Sequence, residues 1–178
     1  MREIKLTRGY VALVDDDDYE RVAAFKWQVG VRKSKQKTYT HALRHVGPKK
    51  QRTTLSLHTF IMGHHPGMMI DHADGNGLNN QKYNLRIATR SQNVANSVRT
   101  RPNKTGFRGI FQSGARFTVR LRGGANQRRY IGMYRTAEAA ARAYDKAAIE
   151  EFGEFATLNF PHEHRLAAPT AGNNELMT

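Results

Sequence analysis

Residues 68–89 read Met68-Met69-Ile70-Asp71-His72-Ala73-Asp74-Gly75-Asn76-Gly77-Leu78-Asn79-Asn80-Gln81-Lys82-Tyr83-Asn84-Leu85-Arg86-Ile87-Ala88-Thr89. The apolar run at 68–70 predicts a short strand that ends in Asp71-His72. Gly75, Gly77 and four asparagines (76, 79, 80 and 84) then form a turn-rich loop that tolerates positive φ. Leu85–Ala88 reads as a second short strand. Thr89-Arg90-Ser91-Gln92 fits a capping box, so a helix begins there with Asn93 near its first turn. The order is strand, loop, strand, helix.

That arrangement suits phosphodiester hydrolysis. The reaction needs a base to activate water, a cation to neutralise charge on the phosphate and the leaving oxygen, and an in-line arrangement of the two. A neutral imidazole meets the first need near pH 7. A carboxylate with an amide oxygen suits Mg²⁺, which prefers hard donors and keeps several waters. Asp71 and His72 are adjacent on an extended segment, so their side chains point to opposite faces. Asp71 can then face a metal and His72 a water, with Asn84 as the candidate to orient the imidazole. Taken alone, Asp-His is a common dipeptide, and His72 reads more readily as a hydrogen-bonded structural histidine; the combination of Asp-His, Gly/Asn loop, Asn-Leu-Arg and Gln-Asn is far more specific.

On the N-terminal side, residues 1–57 look β-rich. Strands are predicted at Ile4–Leu6, Tyr10–Val14, Gln28–Arg32 and Thr38–Val46, with a short helix over Tyr19–Trp27. The run Asp15–Asp18 precedes that helix and favours its N-terminal dipole, so no metal is assigned to it. His58 opens a short helix through Met62 and reads as structural. His64 and His65 belong to a turn before Pro66-Gly67. A zinc cluster of His64, His65 and His72 is the less favoured reading, and the His162/His164 pair is not assigned to catalysis.

On the C-terminal side, residues 58–98 hold the candidate site, 99–104 read as a linker, 105–161 as a second unit and 162–178 as a patternless tail. In 116–122 Phe117, Val119 and Leu121 alternate with Arg116, Thr118, Arg120 and Arg122, giving a half-buried strand with a cationic face. Arg128–Gly132 is its partner beyond a Gly123-Gly124 turn, with Arg128 and Tyr130 on one face, and Phe107–Phe111 a third strand. A helix follows, with Thr136 as N-cap and Gly153 as its stop. Its stripe of Ala140, Tyr144, Ala148 and Phe152 packs on the sheet and leaves the arginine face open. Such a ribbon fits the DNA major groove, where Arg reads guanine.

Charge distribution agrees. The 178 residues carry 29 Lys/Arg against 15 Asp/Glu, a net charge of +14. Residues 1–57 hold 13 basic and 6 acidic side chains, and residues 75–137 hold 13 Lys/Arg and no acid. So long an acid-free stretch repels itself unless a polyanion neutralises it. Cysteine is absent, which excludes disulfides, thiolate metal sites and cysteine nucleophiles. No apolar run approaches the ~20 residues of a membrane span, and the charged start, MREIKLTRGY, is not that of a signal peptide. No repeat or low-complexity tract is present. A soluble, cytoplasmic, nucleic-acid-binding protein is expected.

Residues 57–96, from Leu-His-Thr-Phe-Ile-Met-Gly through Ile-Asp-His-Ala-Asp-Gly-Asn and Asn-Leu-Arg-Ile-Ala-Thr to Gln-Asn-Val-Ala-Asn, resemble the HNH endonucleases, most closely the phage-type homing and nicking branch with a ββα-metal core. The leader Leu6-Thr7-Arg8-Gly9, Ala12-Leu13-Val14-Asp15 and Lys26-Trp27 is similar to that branch as well. The resemblance implies that Asp71 and Asn93 bind one divalent ion, that His72 is the general base, and that Asn84 positions His72. With Asn93 in place of the motif's last His, it implies Mg²⁺ or Mn²⁺ rather than zinc. Thr59 departs from the branch, which often has Arg there, so the resemblance does not carry over that one phosphate contact, while the catalytic pair is unaffected.

Gly106-Phe107-Arg108-Gly109-Ile110, Arg128-Arg129-Tyr130-Ile131-Gly132-Met133-Tyr134, Ala139–Asp145 and Leu158-Asn159-Phe160-Pro161 are similar to the Apetala-two (ethylene-response-factor) DNA-binding domain. That likeness implies a DNA face of Arg108, Gly109, Arg120, Arg122, Arg128 and Tyr130, which Arg116 joins from the strand pattern. The plant-type Trp positions are absent, so no sequence preference carries over.

The expected fold is α+β: a ββα-metal core with a β-rich N-terminal region, plus a three-stranded antiparallel sheet packed on one helix. The expected function is metal-dependent, site-specific cleavage or nicking of double-stranded DNA, by a monomer or weak dimer without a small-molecule cofactor, in a bacterial or phage-infected cell. An inactive DNA-binding regulator is the alternative. Intact Asp71, His72, Asn84 and Asn93 argue against it. A structural RNA-binding protein would call for exposed stacking aromatics, where this sheet offers arginines and one Tyr.

Overall fold

Two short strands, β1 (Arg2–Lys5) and β2 (Val11–Val14), pair antiparallel and bury Ile4, Ala12 and Val14. The structure is a computed structural model that describes residues 1–33, 38–96, 104–123 and 127–165. It divides into two compact units, Met1–Arg101 and Pro102–Thr178, each mixing helix and strand.

Helix α1 (Asp16–Ala23) starts three residues before the expected Tyr19. Asp16, Asp17 and Asp18 form its first turn, where the helix dipole favours negative charge. Asp15, expected to favour the same dipole, makes no capping bond. Its carboxylate instead accepts the Gln81 side-chain amide at 3.1 Å and the Lys82 backbone N–H at 2.7 Å. Buried Asp18 takes Arg21 at 2.6 Å and the Lys82 ammonium at 3.1 Å. The aspartate run therefore grips the 81–82 segment. Backbone bonds from Leu13 N to Leu78 O and from Asn80 N to Leu13 O, both 2.8 Å, fix the same loop to β2.

Strands β3 (Gln28–Lys33), β4 (Thr38–Val46) and β5 (Thr53–Ser56) form one antiparallel sheet with β4 central. β5, Thr-Thr-Leu-Ser, lacks an apolar alternation and is not anticipated by the sequence pattern. Helix α2 (Leu57–Met62) buries Leu57 and Ile61 in a core shared with Val22, Trp27, Val29 and Leu85. The Trp27 indole N–H donates to Val22 O at 2.9 Å, which satisfies its one polar atom.

β6 (Met69–His72) and β7 (Leu85–Ala88) pair antiparallel, with Asp71 opposite Arg86 and His72 opposite Leu85. Helix α3 (Arg90–Asn96) follows. Both capping-box bonds are made, Thr89 N to Gln92 Oε1 at 2.8 Å and Gln92 N to Thr89 Oγ1 at 3.2 Å.

In the second unit β8 (Ile110–Ser113), β9 (Arg116–Arg122) and β10 (Arg128–Tyr134) form a sheet in the order β10-β9-β8. The third strand begins at Ile110, not Phe107. Gly109 has φ +76°, and Arg108 N is held by Asn159 Oδ1 at 2.6 Å, so the chain turns into the sheet only at Gly109, whose carbonyl accepts Arg120 N at 2.9 Å. β10 runs two residues beyond Gly132, with a bulge between Tyr130 and Gly132.

Helix α4 (Ala137–Phe152) packs on this sheet. Thr136 accepts Ala139 N at 3.2 Å, and Gly153 (φ +55°) ends the helix. Ala140, Tyr144, Ala148 and Phe152 are all buried. Buried Asp145 accepts Asn159 N, Asn159 Nδ2 and Phe160 N at 2.8–3.0 Å and pins the segment behind the helix. The start of the tail, 162–165, expected to be patternless, belongs to helix α5 (Pro161–Arg165), whose Glu163 pairs with Arg142 at 3.0 Å. Residues 99–103 of the expected linker and 166–178 of the tail lie outside the described residues. Among the described residues no helix is long and apolar enough to cross a membrane.

Candidate active site

The β6 register carries Asp71 and His72 to the wall of a cavity of about 450 Å³ that Asn93 and Asn96 of α3 also line. Asp71 is only 6% exposed. A buried carboxylate needs partners, and it has two. Arg86, directly across the hairpin, reaches Oδ2 at 2.7 Å. The Asn96 amide donates to Oδ2 at 2.9 Å, to Oδ1 at 3.2 Å and to the His72 carbonyl at 2.9 Å.

Asn93, the sequence candidate, lines the cavity but touches Asp71 through none of these bonds. Its Nδ2 lies 3.5 Å from Met69 Sδ, and its Oδ1 has no hydrogen bond among the described residues. Sequence reasoning missed Asn96 and Arg86. The i, i+3 spacing of Asn93 and Asn96, which puts both on one helix face, was the available signal for the first.

His72 is oriented by Asn80, with Nε2 3.4 Å from Asn80 Oδ1. This corrects the expected direct role of Asn84. The Asn84 side chain, 2% exposed, donates to Asp74 Oδ1 at 3.0 Å and Asn79 O at 2.8 Å and accepts Asp74 N at 3.0 Å. Both ends of its amide are engaged in closing the 74–84 loop, and the imidazole is bonded to Asn80 instead. Burial alone would raise the Asp74 carboxyl, but hydrogen bonds from Asn76, Asn79 and Asn84 hold it below the ordinary range.

Burial lowers the His72 pKa below the usual 6.5, against the opposing pull of the Asn80 bond and of the Asp74 and Asp71 charges. The ring is therefore neutral at pH 7 and able to accept a proton. Asn80 Nδ2 donates to Gly77 O, which leaves Oδ1, an acceptor only, toward the imidazole. His72 thus carries its hydrogen on Nε2 and its lone pair on Nδ1. His58 stands edge-on to it, ring centroids 5.2 Å apart. Burial first, then His72 and His41, push His58 down to about 4, and its Nδ1 has no partner.

The donor chemistry admits a hard cation: one carboxylate and an uncommitted amide oxygen on the same cavity, the remaining positions falling to water and phosphate. Among the described residues no three His, Asp or Glu side chains gather around a common metal position, so the zinc cluster of His64, His65 and His72 is not assembled. His64 and His65 line a separate, smaller cavity with His58 and Thr59.

In the second unit, the registers put Arg122 beside Arg128, Arg120 beside Tyr130, and Thr118 between Phe111 and Met133 on one face. The opposite face, with Ile110, Val119 and Leu121, is buried under α4. Arg116, Arg120, Arg122 and Arg128 are exposed, and Tyr130 is 59% exposed.

Two members of the expected DNA face are elsewhere. Arg108 is half-buried, its Nε donating to the Tyr144 hydroxyl of α4 at 2.9 Å. Gly109 presses its Cα against the Tyr144 ring, where a Cβ would overlap the ring carbons. Both join the sheet to the helix, because Tyr144 fills the space below the start of β8.

Residues 61–95 match the HNH endonuclease family. The chain is 34% identical over 158 residues to an uncharacterized HNH endonuclease of Acanthamoeba polyphaga mimivirus, an alignment covering 85% of this chain and 76% of that protein. It is also 34% identical over 98 residues to an ethylene-responsive transcription factor of Arabidopsis thaliana, covering 52% of this chain and 60% of that one. With a hairpin and helix that carry Asp71, His72 and Asn93 to one cavity, and a relative matched over most of its length, the chain belongs to the HNH endonuclease family and is an endonuclease.

Proposed function

We propose that this endonuclease hydrolyses backbone phosphodiesters of double-stranded DNA with Mg²⁺ or Mn²⁺, as a site-specific nicking or homing-type enzyme. The observation that carries the reading is His72, held by Asn80, on the same cavity as Asp71 and Asn93.

Asp71 and Asn93 are the residues that would hold the ion. When bound, the ion supplies charge neutralisation at the phosphate and the leaving 3′-oxygen. His72 Nδ1 takes the proton of an attacking water, and the Asn80 carbonyl steadies the imidazolium that results, since its Nε2–H bond strengthens as the ring charges. Arg86 and Asn96 keep Asp71 turned into the cavity. Asn84 acts at one remove by closing the loop that carries Asn80.

The exposed arginines of the β8–β9–β10 sheet, with Tyr130, provide the grip, in keeping with the similarity to an ethylene-responsive transcription factor. One such centre per chain cuts one strand, so a monomer nicks.

Supercoiled plasmid incubated with Mg²⁺ tests this. The wild-type protein converts it to open circles, whereas His72→Ala and Asp71→Ala retain DNA binding and lose conversion. Undiminished nicking by His72→Ala would remove His72 from its role.

A further inference from the structure

One wall of the catalytic cavity comes from neither the hairpin nor α3. It is the β3–β4 pair, through Arg32, Tyr39, Thr40 and His41. Two glycines allow the approach. A Cβ on Gly77 would collide with the Thr40 carbonyl, so the active-site loop lies directly on the β4 backbone. A Cβ on Gly30 would meet the His41 ring, so that ring lies across the strand opposite and stays at the cavity edge.

Among the described lining residues, Arg32 is the one arginine or lysine. It is exposed and forms no ion pair among the described residues. Tyr39, its direct partner across the β3–β4 register, lies under it with the guanidinium carbon 5.2 Å from the ring centroid. A cation placed over an aromatic face is restrained without being neutralised. Among the described residues none of its donors is engaged, and they suit a ligand with two acceptor oxygens. A DNA phosphate is such a ligand, and Arg binds it bidentately where Lys offers only a point charge.

We infer that Arg32, steadied by Tyr39, clamps a backbone phosphate of the bound DNA inside the catalytic cavity, so that the N-terminal sheet supplies a substrate-contacting residue of the nuclease. This rests on the DNA-cleavage reading above. The clamped phosphate is the scissile one or its immediate neighbour, because the same cavity holds His72. Since the remaining phosphate contacts lie elsewhere on the protein, the clamp acts on the cleavage step more than on overall affinity.

The full-length protein tests this on a duplex bearing one nick site mapped with the wild-type enzyme. Single-turnover rates at saturating DNA are measured for wild type, Arg32→Gln, Arg32→Lys and Tyr39→Leu. Arg32→Gln is expected to cleave about 100-fold more slowly, the loss typical of one transition-state donor. Its Kd should move by less than about threefold, one contact among several. Arg32→Lys should recover part of the rate.

A methylphosphonate placed singly at each phosphate flanking the nick supplies a readout that misfolding does not mimic. At one position the neutral linkage should slow the wild type strongly and Arg32→Gln no further. An inactive wild type overturns the nuclease reading and this inference together. An active wild type with an equally fast Arg32→Gln, or with the same methylphosphonate penalties in both proteins at every position, overturns the clamp alone.

Discussion

The Asn96 side-chain amide donates to both oxygens of the Asp71 carboxylate, at 2.9 and 3.2 Å. With Arg86 at 2.7 Å on Oδ2, it fixes the carboxylate before any substrate arrives. Preorganisation of this kind removes the need to reorient a charged group during the reaction. It also separates two duties on one helix face: Asn96 holds the carboxylate, and Asn93, one turn earlier, presents an uncommitted oxygen to the cavity.

Asn96→Ala and Asn93→Ala should therefore behave differently. Losing the Asn96 bonds to a buried carboxylate should cost about 2 kcal/mol of stability, visible as a lower urea midpoint. Asn93→Ala should change stability by less than about 0.5 kcal/mol, as a partly exposed substitution does, yet nick plasmid at background rate. If Asn93→Ala nicks normally, the second cation donor is not Asn93.

How much of this was legible depended on whether a signal was local. The capping box Thr89–Gln92, the stripe Ala140–Tyr144–Ala148–Phe152 and the alternation of 116–122 follow from fixed helical and strand periods, and the structure reproduces them. Asn84 was singled out from the sequence, but its partner was misassigned. The bonds it makes, to Asp74 and Asn79, depend on how the loop closes, which no period encodes. Arg86 was visible only as part of a motif until the hairpin register put it opposite Asp71. Arg108 illustrates the same limit. A guanidinium beside a strand reads as surface until Tyr144, 36 residues later, is known to sit within reach of it.

The His58 environment predicts an acid-sensitive fold. The unfolded histidine titrates at the ordinary 6.5, and burial in the folded protein lowers the value to about 4. Below 6.5 the unfolded chain binds a proton that the folded one refuses, so stability is full above pH 6.5 and falls as pH drops toward 4. By linkage the loss is about 2 kcal/mol at pH 5 and about 3 kcal/mol once both states are protonated. His72, shifted down as well, adds to the slope. Urea unfolding at pH 7, 6 and 5 measures it, and His58→Gln should flatten it. An unchanged slope in His58→Gln would place the titrating group elsewhere.

Salt dependence separates the DNA face from its neighbours. Each phosphate contact removed lowers the slope of log K against log salt by about 0.9. Arg120→Gln, Arg122→Gln and Arg128→Gln should each lower affinity, those that touch phosphate reducing the slope by this amount and one that reads a base edge instead relaxing sequence preference. Arg108→Gln should leave the slope unchanged, since its Nε is bound to Tyr144. A fall in slope for Arg108→Gln equal to that of the strand arginines would return it to the DNA face.

Gly109 gives the sharpest contrast between resemblance and geometry. If it served by letting DNA approach the backbone, Gly109→Ala would weaken binding and spare the fold. The structure puts the missing Cβ against the Tyr144 ring and the Arg120 carbonyl, at a residue with φ +76°. An alanine there carries a strained backbone and displaces a buried aromatic ring, so a loss of about 2 kcal/mol or more is expected, at the high end for a single substitution. The unit has no disulfide and a small core, so its melting transition should drop by several degrees. DNA affinity measured well below that transition should stay close to wild type, and saturating duplex should recover part of the lost stability through linkage. A variant that melts normally but binds DNA poorly would instead put Gly109 in contact with the duplex.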